Sequence, residues 1–510
     1  MILCSLSRPT LGGTVTVTVS LGDWMQTTVQ AMIAANPAKE GSDKKPVKPK
    51  GPKNWTEGEI QYEIIKELKT KFRFARDAGW TLYYYLNGFQ WDGKNDTNVP
   101  TGFYAPAGRE LVDSYAIMLM RKWEIPFRWK PGFSEHVVKF LLHDPGVAPK
   151  LPDKPPLHLL NVRNGMLDLR TRELLPHSPE FYSYVQLPVS YDPEARCPNW
   201  DEFIKDVFEE DCWDLAWEIS GWLLRPDKRI QKAVVLLGSG ANGKSTFLDG
   251  VRNLIGGRNI SSCSIQYLQQ NRFATHNLIG KLANICADLP TKELEQSDVF
   301  KALTGDDPIR VEPKFQRGFD IDCFARLLFS ANNPPVSKEG GAAYYRRWVL
   351  VPFNREFTAN SPGFKSRDEI QSLLFTEREM SGFLNRALEG MTRLDARKDF
   401  SNPPSVLEAL KQFQSETDPL HLWMESQLDT KAPEDARSPQ KEIHSAYNQW
   451  RARGGRKLPP IASSIFWREL RKALGRELKT QRFGPRGEQE WWVFGLRLKN
   501  PSNLLEVVNE

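Results

Sequence analysis

The run AVVLLGSGANGKST, from Ala233 to Thr246, constrains the fold more than any other part of this chain. Five uncharged apolar residues predict a buried strand, and the glycines behind them predict a tight loop. KSTFLDGVRNLIGG follows with apolar residues at helical spacing and a Gly-Gly stop, so the loop opens a helix. Gly238, Gly243, Lys244 and Ser245 fit G-x-x-x-x-G-K-[ST]. A phosphate chain needs backbone N–H groups turned inward, a Lys at its terminal oxygens and a hydroxyl for Mg2+. Glycines let the backbone approach without side-chain clash. Gly238, Ser239, Gly240, Ala241, Asn242, Gly243, Lys244, Ser245 and Thr246 are therefore the expected nucleotide contacts, with Ser245 also a metal ligand.

At 510 residues the chain is too long for one ordinary core, and a multidomain α/β protein is expected. Apolar residues at 40% and charged residues at 26% suit a protein that buries a large core in water. No uninterrupted apolar stretch approaches the roughly 20 residues of a membrane helix, so no membrane partner is expected. The N-terminus lacks a basic start followed by an apolar block, which argues against a signal peptide. Six scattered cysteines without a C-x-x-C pair argue against zinc or a disulfide framework. They fit a reducing, cytoplasmic compartment.

The net charge of +6 is unevenly placed: Lys441 to Lys499 holds fourteen Lys/Arg against five Glu. That segment is a candidate nucleic-acid surface, or a solvated basic face. Residues 36–53, NPAKEGSDKKPVKPKGPK, have too little apolar surface to offset the entropy of ordering and read as a linker or tail. From Trp55 the text is aromatic-rich, with hairpin signals at Asn87-Gly88 and Asn164-Gly165. The expected units are a tail over 1–54, a mixed α+β domain over 55–199, a nucleotide-binding domain over 200–400 and a C-terminal domain over 414–510. In the last, PQKEIHSAYNQWRARGG, SSIFWRELRKALG and EWWVFGLRLK read as helix, helix and strand pair, the order of a winged helix. A protein-interaction domain of the same shape is the alternative.

GKLANICADLP supplies a second strand that ends at Asp288, where an acid can hold Mg2+ or polarise a water; an ordinary strand-end Asp is the plainer reading. FKALTGDDPIRVEPKFQRGFDID reads as a hairpin with Lys314, Phe315 and Arg317 near its tip. FARLLFSANNPP brings Asn332 and Asn333 to the end of a buried strand. GGAAYYRRWVLVPF sets Arg346 and Arg347 before another apolar strand, as a finger for a neighbour's nucleotide or as a surface ion pair.

In this order GSGANGKST, ADLPTKEL, FKALTGDDPIRVEPKFQRGFDI, LLFSANNPP and YYRRWVLVPF resemble the superfamily 3 helicases of the AAA+ class, specifically the phage and plasmid primase-helicases related to the poxvirus primase-helicase. The resemblance covers roughly residues 55–500 and implies an AAA+-type P-loop ATPase core behind the mixed α+β domain, with the winged helix as its tail. It implies ATP and Mg2+ as cofactors, Lys244 and Ser245 as the Walker A pair, Asp288 as the Walker B acid and Asn332 as sensor 1. Arg346 or Arg347 would be the arginine finger, and Lys314, Phe315 and Arg317 the DNA-tracking tip. It further implies a homo-oligomeric ring, usually a hexamer, acting on single-stranded and forked DNA, with a primase or another replication protein as partner.

Two departures matter. Many relatives carry consecutive acids at the Walker B end, whereas Ala287 precedes Asp288 here, so the residue that activates water stays open. The D-x-D metal pair of a primase is absent except for Asp320 to Asp322 inside the helicase segment, so primase activity is not expected. The competing reading is an initiator in which ATP only sets the oligomeric state. A GTPase lacks support, because no N-K-x-D signature occurs.

Overall fold

The structure is a computed structural model and describes residues 4–10, 13–19, 51–86, 101–130, 132–290, 298–314, 317–335, 342–358, 365–417, 419–452, 459–485 and 489–499. Residues 36–50 of the Lys/Pro stretch, the Asn87-Gly88 pair and Phe315 lie outside them. Where a tail was expected, β1 (Cys4–Thr10) pairs antiparallel with β2 (Gly13–Val19), the latter an alternation of β-branched Thr and Val.

The first helical unit starts at a reciprocal cap, in which the Thr56 hydroxyl accepts from the Glu59 N–H and the Glu59 carboxylate accepts from the Thr56 N–H. It holds α1 (Glu57–Lys71), a small antiparallel sheet of β3 (Phe74–Arg76), β4 (Leu82–Tyr85) and β5 (Tyr104–Ala105), then α2 (Gly108–Lys122) and α3 (Phe133–His143). Ile60, Ile64 and Leu68, one stripe of α1, pack with Leu111, Tyr115 and Val137 in a core of their own.

The next hairpin joins β6 (Leu159–Val162) to β7 (Gly165–Asp168), with β8 (Leu174–Leu175) beside it. Its turn residues are Arg163 and Asn164, and the Asn164 side chain accepts from the Tyr191 N–H and donates to the Tyr191 carbonyl, both at 2.9 Å. Leu160, Val162, Leu167, Val185 and Leu187 share a core with Trp200 of α4 (Pro198–Val207) and Trp217 of α5 (Trp213–Trp222).

A five-stranded parallel sheet forms the centre. Its elements are β9 (Ala233–Leu237), α6 (Lys244–Ile255), β10 (Ile260–Ser261), α7 (Ile265–Gln270), β11 (Ala283–Cys286), α8 (Asp298–Thr304), the hairpin β12 (Ile309–Val311) and β13 (Phe319–Ile321), β14 (Arg326–Ala331), α9 (Ala342–Tyr345) and β15 (Trp348–Pro352). The strand order is β10-β11-β14-β9-β15. Alternation along the strands separates two cores. Val234, Leu236, Leu328 and Val351 face α6 and α11 (Glu377–Arg397), while Val235, Phe329 and Leu350 face α8 and α12 (Pro404–Thr417). Both faces are covered, so β9 and β15 are apolar throughout rather than alternating. α10 (Arg367–Leu374) precedes α11 and carries its own reciprocal cap between Ser366 and Glu369.

Phe413 of α12 packs on Tyr345, so the C-terminal core begins beyond it. That core is built by α13 (Pro419–Gln427), β16 (Leu428–Asp429), β17 (Arg437–Pro439), α14 (Gln440–Ala452), α15 (Ser463–Leu474), β18 (Thr480–Phe483), β19 (Glu490–Phe494) and β20 (Arg497–Leu498). Trp423, Ile443, Tyr447, Phe466, Leu470 and Val493 fill it. Its three-stranded antiparallel sheet has the order β17-β19-β18. No helix among the described residues is long and apolar enough to cross a membrane.

Candidate functional site

In an open parallel sheet, ligands bind beyond the carboxyl ends of the strands where the chain reverses direction across the sheet. Here that point is β9, flanked by β14 on one side and the last strand, β15, on the other. The glycine loop, residues 238–243, leaves β9 there and runs straight into the N-terminus of α6. The Gly238 N–H donates to the Ala331 carbonyl of β14 at 3.2 Å, and the Phe353 N–H after β15 donates to the Leu237 carbonyl at 2.7 Å. The loop is thus held from both neighbouring strands.

A Cβ at Gly238 would lie 2.2 Å from the Asn242 amide nitrogen and 2.6 Å from the Phe353 carbonyl, so no larger residue fits. Gly243 adopts φ +85° immediately before α6, a conformation L side chains rarely adopt, and a Cβ there would stand 2.6 Å from Val207 Cγ1. The Lys244 side chain folds back under the loop, where its ammonium donates to the Gly238 carbonyl at 2.6 Å and to Asn242 Oδ1 at 3.0 Å. Burial lowers its pKa from the usual lysine value. A partly desolvated ammonium beside a helix N-terminus favours an anion arriving at the loop.

The other two acids and amides of the sequence reading stand at the same edge. Asn332 directly follows Ala331 of β14 and is exposed. Asp288 lies two residues past β11, also exposed, and the neighbouring Leu289 N–H donates to the Ser330 carbonyl of β14 at 2.9 Å. With β14 between β9 and β11, Asp288 is two strand spacings, or about 10 Å, across the edge from the loop. A phosphate chain with a hydrated cation spans such a gap. Among the described residues no three His, Cys, Asp or Glu side chains cluster as a metal cage. Mg2+ binding by one carboxylate, one hydroxyl, phosphate oxygens and waters needs none.

Arg346 and Arg347 lie at the opposite, amino end of the sheet, because Trp348 pairs with Ala233 and Pro352 with Leu237. Five residues of strand, about 16 Å, separate them from the loop of their own chain. The two differ sharply. Arg347 is buried, donates to the Ala343 carbonyl and gives its own carbonyl to the Ala233 N–H. Arg346 is exposed, with Gln231 Oε1 3.4 Å from its guanidinium.

Lys314 and Arg317 are exposed at the tip of the β12–β13 hairpin. At the hairpin's base Arg310 pairs across the strands with Asp320 at 3.4 Å, and Asp322 faces Lys154 and Lys228. The D-x-D acids are thereby committed to ion pairs.

A cavity of about 630 Å3 opens beside the glycine loop and was not legible beforehand. Ala241, Gly243, Ser245 and Thr246 form its inner wall, and its outer wall carries Phe203, Val207, Phe357, Ile370, Leu374 and Phe375. The Phe357 N–H donates to the Ala241 carbonyl at 2.7 Å, fixing that wall to the loop. These residues come from α4, the segment after β15 and α10, three stretches without a shared sequence signal. Glu202, Asp206, Asp249, Arg252, Lys365 and Arg367 line the cavity as well, and its aromatic side chains, next to a phosphate cradle, suit the flat ring of a nucleotide base.

Residues 63–209 match the D5 N terminal like family, and residues 236–347 match DUF5906, described as a family of unknown function. The first match ends after α4, and the second begins within β9. The first of these matches supports a relation to the phage primase-helicases. Among solved structures it is similar to the apo NrS-1 C terminal region, at 12% identity over 85% of this chain and 99% of that one, with a TM-score of 0.46. A second apo structure of the same region gives 11% identity over 84% and 98%, with a TM-score of 0.43.

Proposed function

We propose that this chain is an ATP-dependent DNA helicase of a phage, plasmid or related mobile element, with an AAA+-type P-loop core that works in a ring. One observation carries the reading: the Lys244 loop, Asn332 and Asp288 stand together on three adjacent parallel strand ends, beside a recess of base size. Lys244 would neutralise the terminal phosphates, Ser245 and Asp288 would hold Mg2+, and Asn332 would orient the water or the leaving phosphate. Mg2+ supplies charge neutralisation on the phosphate oxygens. The span of about 16 Å to Arg346 and Arg347 favours their acting on a neighbouring subunit's ATP, and exposure favours Arg346 for that contact.

The recess predicts where base affinity resides. Phe203→Ala and Phe357→Ala should each raise KM for ATP roughly 10-fold with a smaller change in kcat, because stacking is lost equally from ground and transition states. Steady-state kinetics check this, and an unchanged KM would remove the base from that cavity.

Coupling to DNA would run through the hairpin. Lys314→Ala combined with Arg317→Ala should cut single-strand-stimulated ATP turnover roughly 10-fold and leave DNA-free turnover unchanged, since the hairpin is a sheet separate from the one that carries the glycine loop. Undiminished stimulation in this variant would exclude the hairpin as the DNA contact. The initiator reading draws on the single carboxylate at Asp288, with Ala287 where a second acid would stand. It predicts slow turnover indifferent to single strands.

A further inference from the structure

The C-terminal unit presents a surface that the motor reading does not use. Helix α15 buries Phe466, Trp467 and Leu470 in the core. At 100° per residue the opposite stripe is Ser464, Ile465, Arg468 and Lys472, within about 100° of arc, and all four are exposed. Ile465 keeps 43% of its surface in water on an otherwise polar stripe. Among the described residues Arg468 pairs with its neighbour Glu469, at 3.1 Å.

The β18–β19 ribbon of the same unit carries a second basic surface. Val493 packs into the helical core, and alternation puts Trp491 and its partner across the strands, Arg482, on that same sheet face. Both lie nearer the ribbon's tip, beyond the core's edge, and Trp491 is 46% exposed with the Arg482 guanidinium 4.7 Å from its ring centre. An exposed basic helix face suits duplex DNA, whose major groove of about 12 Å admits one helix, and a basic, aromatic ribbon suits its backbone.

We propose that this unit reads the sequence of double-stranded DNA. The stripe of Ser464, Ile465, Arg468 and Lys472 faces base edges in the major groove, and the Arg482–Trp491 pair lies on the adjoining backbone. Arginine pairs with the acceptor edge of guanine, and an exposed apolar side chain suits the thymine methyl group. A surface for single strands or phosphates alone gains nothing from an isoleucine there. The proposal does not depend on the ATPase reading.

The test selects duplexes from a random-sequence pool with the 510-residue protein, then measures binding of the recovered and scrambled duplexes. A motif should emerge, and Arg468→Ala should lose on the order of 10- to 100-fold in discrimination at one base pair. Arg482→Ala should weaken both duplexes alike and flatten the salt dependence. DNA-free ATP turnover should stay at the wild-type rate in both variants, which confirms that they fold. Failure of any motif to emerge, or a motif read equally well by a variant with alanine at all four stripe positions, would overturn the proposal. Lys244→Ala should leave the motif intact, so loss of the motor and loss of the reader are distinguishable.

Discussion

Lys244→Ala should lower ATP turnover by on the order of 10²-fold or more and abolish unwinding, while leaving the fold intact. The ammonium is the one cation seated inside the described glycine loop, 2.6 Å from the Gly238 carbonyl, and burial has already reduced its hold on its proton. Alanine removes that charge from the place where phosphate charge would concentrate. The loop itself is held by the Gly238–Ala331 and Phe357–Ala241 backbone bonds, which do not involve the lysine side chain. The thermal midpoint of the variant should therefore stay near that of the wild type. Parallel turnover and melting measurements check both parts, and substantial turnover in a well-folded variant would remove Lys244 from the chemistry.

The second large effect concerns stability. Arg326 opens β14, the strand whose far end delivers Asn332, and its side chain is only 5% exposed. Its guanidinium donates to Asp227 Oδ1 at 2.7 Å and lies 5.0 Å from the Trp222 ring centre. Asp227 also accepts from Arg229 at 3.0 Å, and Arg225 and Arg229 share Asp395. Asp227→Ala leaves a buried guanidinium without its counter-charge, which costs about 3–5 kcal/mol. Urea denaturation followed by tryptophan fluorescence should show that loss. Burial alone would raise the Asp227 carboxyl, but Arg326, Arg229 and Arg225 together hold it below its ordinary value. A carboxyl depressed on folding stabilises above its unfolded pKa of about 4 and loses that contribution as pH falls through the folded value. The gap between wild type and Asp227→Ala should be full at neutral pH and narrow only below about pH 4. A gap that persists undiminished at lower pH would assign the loss to packing rather than charge.

Local patterns made much of this site readable in advance. The Ala233–Leu237 run, the glycines after it and the spacing of Phe247, Leu248 and Val251 each report on a few consecutive residues, and the structure realises them as strand, loop and helix. The β12–β13 hairpin was legible for the same reason. What sequence could not convey was adjacency. Nothing local says that β14 inserts between β9 and β11, yet that placement brings Asn332 between Lys244 and Asp288. The aromatic recess joins Phe203, Phe357 and Phe375 across more than 170 positions, through chain reversals with no shared period. The Arg326–Asp227 pair was hidden likewise, since each residue alone reads as an ordinary charge beside a strand. The antiparallel pairing of β1 and β2 rests on an alternation of Thr and Val that also suits a polar tail.

The most direct measurement is the steady-state rate of ATP hydrolysis by the purified 510-residue protein, with and without single-stranded DNA. The account predicts measurable turnover that rises severalfold when the strand is added. Turnover that ignores the strand at every concentration would contradict it and leave the nucleotide only an assembly role.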